Sequence, residues 1–110
     1  MASHDDSPPD WLPQLARIED PIADDLWEYE LPDKGGRQTS RITIGRPVPL
    51  PGDAHGDWYC PVFAEHFLPA IRCVVGVGPV DALMNAMSLV RTFFEQVGGA
   101  SPRAQAPLSP

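Results

Sequence analysis

The stretch from Gly78 to Gly99 constrains this chain more than any other, because its start, period and stop are all written in the sequence. Gly78 can serve as N-cap, Pro79 suits the first helical position, and Asp81 complements the positive end of the helix dipole. Leu83, Ala86, Met87, Val90, Phe94 and Val97 recur at helical spacing and form an apolar stripe. Asn85, Ser88, Thr92, Glu95 and Gln96 take the other side, with Arg91 and Glu95 spaced for an i,i+4 ion pair. Gly98-Gly99 supplies the stop, so the sequence predicts one helix over 79–97. A helix with one apolar stripe has to cover another element.

The chain before it alternates in the manner of strands. Over 23–31, Leu26, Glu28 and Glu30 fall on one face and Trp27, Tyr29 and Leu31 on the other. Pro32 to Gly36 is a turn cluster. Over 39–47, Ile42 and Ile44 point inward and Arg41 and Thr43 outward, which sets Arg41 across from Glu28 or Glu30. A third strand over 56–64 carries Pro61, a sign of an edge or a bulge. A fourth covers 69–76, with Ile71, Cys73 and Val75 on one face. The expected fold is α+β: a four-stranded antiparallel meander packed on one C-terminal helix. A single domain over 21–98 is flanked by an acidic, partly disordered arm over 1–20 and a disordered tail over 99–110. In the arm, Trp11, Leu15 and Ile18 are spaced for a short helical turn.

Charge is uneven. Residues 1–33 hold ten acids and one base, Arg17, a net of −9; the rest nets +2, against −7 for the chain. No basic face exists for phosphates, so nucleic acid is excluded as a partner. No apolar run of about 18 residues spans a membrane, and the N-terminus has no apolar signal segment. A cytoplasmic location follows, where Cys60 and Cys73 remain thiols. They are read as small buried hydrophobes on neighbouring strands, close enough to bridge on oxidation.

The chemistry-bearing residues are few. Asp53-x-His55-x-Asp57 sits in a Gly-flanked loop that lacks the fixed geometry of a metal site, and is read as a polar turn. Gly76-Val77-Gly78-Pro79 precedes a helix, but Pro79 removes one of the backbone donors a phosphate loop needs. Cys60 and His66 are a nucleophile and a base without an orienting third group. No catalytic residue, metal or cofactor is implied. The clustered acids Asp24, Asp25, Glu28 and Glu30, with Trp11, are the expected partner-binding residues, and a basic protein is the expected partner. The alternative is a small enzyme or small-ligand domain with a pocket near Trp58, Cys60 and His66. A structural homodimer is the third reading.

Ile42-Thr43-Ile44-Gly45-Arg46-Pro47, then Asp57-Trp58-Tyr59-Cys60-Pro61, then Gly76-Val77 and Asp81-Ala82-Leu83 with Ala86 resemble a family of small bacterial domains of unknown function. The resemblance covers about residues 40–97. It implies a sheet-plus-helix protein and carries no activity. By loose analogy with small bacterial proteins of this kind, it points to an immunity- or antitoxin-like module that neutralises a toxin by binding it, without catalysis.

Overall fold

The alternating segments form strands, and among the described residues one helix follows the first five of them. The computed structural model describes residues 12–31, 33, 35–52 and 54–103. The elements are β1 (Pro21–Leu31), β2 (Gly36–Gly45), β3 (Val48–Pro49), β4 (Trp58–Ala64), β5 (Arg72–Gly76), α1 (Pro79–Glu95) and β6 (Gly98–Pro102). All pairings are antiparallel. Across the sheet the order is β5, β4, β2, β1, β6, with β3 on the same edge of β4 as β2.

The α+β class holds, but the sheet is not a four-stranded meander. The four expected strands are β1, β2, β4 and β5, and two more join them. β3 is a two-residue piece after the bend at Arg46-Pro47. β6 occupies residues expected to be tail: the helix ends at Glu95, Gln96 is its C-cap, and Gly98 already pairs with Glu30. Gly98-Gly99 is therefore the entry to a strand rather than the helix stop, with Gly99 at φ +58 turning the chain. Short apolar content hid this strand, since Gly98-Gly99-Ala100-Ser101-Pro102 shows no alternation.

Pro61 lies inside β4, which has neighbours along both edges. Asp57 O accepts from Leu50, and Glu65 N donates to Arg41 O, so the odd residues of β4 aim their backbone groups at the β2/β3 edge. Pro61 thus turns its missing N–H toward the gap where β2 has stopped at Gly45 and β3 has not begun. The Gly45 carbonyl opposite instead accepts the Cys60 thiol at 3.3 Å. Gly45 must be glycine, because a Cβ there would come within 2.5 Å of the Pro61 ring.

The helix covers the inner face. Ile42, Ile44, Cys60, Val62 and Ala64 from the sheet meet Ala82, Ala86 and Val90. Trp27 stacks on Phe94 with centroids 4.4 Å apart, and Phe67 on Phe93 at 5.1 Å. The buried Tyr29 hydroxyl and Ser40 hydroxyl satisfy each other beneath them. The buried stripe of α1 differs from the expected one: Ala82 belongs to it, whereas Met87 is 46% exposed. A smaller cluster of Leu12, Leu50, Tyr59 and Cys73 sits on the outer face, where residues 12–18 lie as irregular chain rather than a helical turn.

Candidate functional site

The side chains of β1 divide between the two faces. Asp24, Glu28 and Glu30 stand opposite Thr43, Thr39 and Arg37 on the outer face, and Asp25 stands opposite Ile42 on the helix side. The expected acidic row is therefore three residues plus one turned away. It is also not bare. Arg41 donates to Asp24 Oδ2 at 2.7 Å and Thr43 to Asp24 Oδ1 at 2.9 Å. Glu28 is approached by Arg37 at 3.5 Å and Arg103 at 3.9 Å. Arg41 thus pairs with Asp24 instead of Glu28 or Glu30, because the register sets Arg41 opposite Leu26 and its side chain reaches diagonally. No ion pair links Arg91 with Glu95 among the described residues. Trp11 lies outside the described residues, as does Asp53 of the Asp53-x-His55-x-Asp57 loop.

Trp58, Cys60 and His66 are not brought together. Trp58 opens β4, Cys60 is fully buried under the helix, and His66 lies in the turn beyond the strand's other end at φ +73. Cys60 and Cys73 are free, and they lie on opposite faces of the sheet. Cys73 is paired with Pro61 and Cys60 with Val74, so one thiol faces α1 and the other faces Leu12. They cannot bridge without rebuilding the strands. Burial pushes the Cys60 thiol up to about 11, with Cys73 adding to the effect, and burial alone pushes Cys73 to about 11. Neutral, enclosed thiols are poor nucleophiles.

Two features that alternation did not reveal stand out. The first is the outward flank of α1. Val80, Met84, Met87 and Arg91 fall within about 60° of one another at 100° per residue. Val80 is 68% and Met84 62% exposed, and Val77, just before the helix, is 81% exposed. The signal was in the sequence as Val80-x3-Met84-x2-Met87, a second apolar stripe beside the first. The second feature is a groove of about 330 Å³ between α1 and the start of β1. Ile42 and Ile44 form its floor, Ala23 and Trp27 one wall, Met87 and Phe94 the other, with Asp25 and Arg91 at the rim. It adjoins the stripe through Met87.

Comparison with known proteins adds one short similarity. No family model matches the chain. A stretch of 42 residues is 50% identical to the aspartate/glutamate leucyltransferase of Pseudoalteromonas atlantica (strain T6c / ATCC BAA-1087). It covers 38% of this chain and 17% of that protein. The chain thus spans less than a fifth of the length of the relative it matches. No solved structure matches.

Proposed function

We propose that this chain is a non-catalytic protein-binding module. The observation that carries the reading is the flank of α1: three large apolar side chains stand well exposed in one row, continuous with an apolar groove. Contiguous exposed apolar surface of this kind marks interaction sites, and methionines adapt to the shape of a partner. An immunity- or antitoxin-like role in the cytoplasm is its most concrete form, supported by the net charge of −7. The arginines set against Asp24 and Glu28 shift the weight from charge to apolar contact.

The test is a complex with the product of the adjacent gene, followed by size-exclusion chromatography. Val80→Asp and Met84→Glu should abolish co-elution and leave thermal unfolding unchanged, since both side chains point to solvent. A complex that survives both substitutions removes the stripe as the binding surface. A second reading, a small enzyme or small-ligand domain, is favoured by the short likeness to a transferase. It requires saturable small-molecule binding in the groove that Phe94→Ala weakens.

A further inference from the structure

The two edges of the sheet are finished differently. At the β5 edge, Val75 O accepts Asn85 Nδ2 from α1 at 3.0 Å, and Val77 N donates to Asp81 Oδ2 at 3.0 Å. A Cβ on Gly76 would lie 2.3 Å from Ala82 N, so the helix is pressed against that edge. At the other edge, β6 pairs only with Trp27, Glu28 and Glu30 of the eleven-residue β1. The last described contact along this line is Arg103 N donating to Leu26 O at 2.8 Å. That bond shows that the even residues of β1 turn their backbone groups outward. Asp24 N–H and C=O therefore face out with no strand pairing among the described residues, and Leu26 N–H finds only the Asp25 carboxylate at 2.8 Å. An open strand edge is a template for another chain.

This edge, unpaired at Asp24 among the described residues, borders the groove. A strand added beside Ala23–Leu26 would place alternate side chains on the helix side of the sheet, facing Met87 and Arg91. Arg17, Arg37, Arg41, Arg46 and Arg103 each stand within 4 Å of a carboxylate, whereas Arg72 and Arg91 have no ion pair among the described residues, and of these two only Arg91 lines the groove. We propose that β1 accepts an extended segment of a partner protein as an added strand at Asp24, with an apolar side chain in the groove and an acidic side chain two residues along on Arg91. The mode is β-augmentation: backbone hydrogen bonds supply affinity and alternate side chains supply selectivity. The proposal rests on the protein-binding reading and names a different surface from the helix stripe.

The test uses the full chain, isotope-labelled, and acetylated hexapeptides of alternating pattern carrying leucine and, two positions on, glutamate. Amide exchange and chemical shifts are read by NMR. The expected result is slowed exchange at Asp24 and shifts over 23–27, lost when the peptide's outward-bonding amides are N-methylated. Arg91→Glu should weaken binding about tenfold, as for one charge-assisted hydrogen bond, with unfolding unchanged. No response at millimolar peptide overturns the proposal, as does equal binding of the N-methylated peptide. An Asp24 amide already protected in the free chain also overturns it, because the edge is then filled by this chain or a second copy. Shifts confined to Val80 and Met84 overturn the edge while leaving the protein-binding reading standing.

Discussion

The inner and outer faces of the sheet come from the same strands, alternate residue by alternate residue, yet they are closed by different means. The inner face carries Ile42, Ile44 and Val62 under α1, sealed by stacked rings and one satisfied hydroxyl pair. Among the described residues the outer face has no single cover. Over β4 and β5 it is closed by Leu12 and Leu50, and over β1 and β2 by arginines laid across carboxylates. Ile44 and Thr43 are adjacent in sequence and on opposite faces, one 4% exposed and the other bonded to Asp24 at the surface. Burial, which scales with apolar area, should dominate stability on one side, and screened charge pairs should add little on the other.

The sharpest way to break this contrast is the pair Ile44→Ala and Thr43→Ala in urea unfolding. Ile44→Ala should cost about 2–5 kcal/mol, the range for emptying a core site. Thr43→Ala should cost about 1 kcal/mol or less. Equal costs would mean that the outer face is as tightly determined as the inner.

Cys60 tests whether the core thiol acts as a donor or as filler. Cys60→Ala leaves the Gly45 carbonyl without its thiol and should cost about 1–3 kcal/mol, while Cys60→Ser should recover part of this by donating from its hydroxyl. If serine is worse than alanine, the thiol acts only by volume.

A separate effect of the two thiols comes from pH. Unfolded thiols release their protons near 9.0, whereas both folded thiols hold theirs to about 11. Between these values the unfolded state is the one that loses protons, so stability is level below pH 9 and falls as pH rises toward 11. A double Cys60→Ala, Cys73→Ala variant should show a flatter thermal-unfolding profile over that window; an identical slope would assign the alkaline loss to other groups.

The smallest effect belongs to the outer ion pairs. Asp24→Asn keeps the hydrogen-bonding shape and removes the charge beside Arg41. Both side chains are about half exposed, so the change should stay within about 1 kcal/mol and shrink with added salt. A larger, salt-independent loss would mark the charge ladder as structural.

Much of the inner face was legible in advance. Alternation at Trp27, Tyr29, Ile42 and Ile44 and the helix start at Gly78-Pro79 specify it directly. The outer half was less so. Cys60 and Cys73 read as neighbours because strand adjacency is visible in a sequence, while the face each occupies depends on the β4–β5 register. β6 escaped because its residues have weak strand character and are held by pairing with β1 alone. Of the site, the acids of β1 were visible but their arginine partners were not, since Arg41 reaches Asp24 on a diagonal. Met87 was placed inward because helical spacing gives the period of a stripe and not its centre. The groove and the open edge depend on where the helix crosses the sheet, which spacing does not encode.

Pro61 has a consequence for how the chain avoids misfolding. The strands around it are rich in small and branched apolar residues that could slide past one another with little change in burial. The ring tolerates one alignment, the one that sets its donor-free nitrogen against the break between β2 and β3. A two-residue slip toward the start of β2 would keep the same faces inward and yet set the Pro61 ring against Thr43, whose Cβ would occupy the space that only Gly45 leaves open. Pro61 thus works as a keyed tooth: the bare backbone of Gly45 admits its ring, and the neighbouring registers do not.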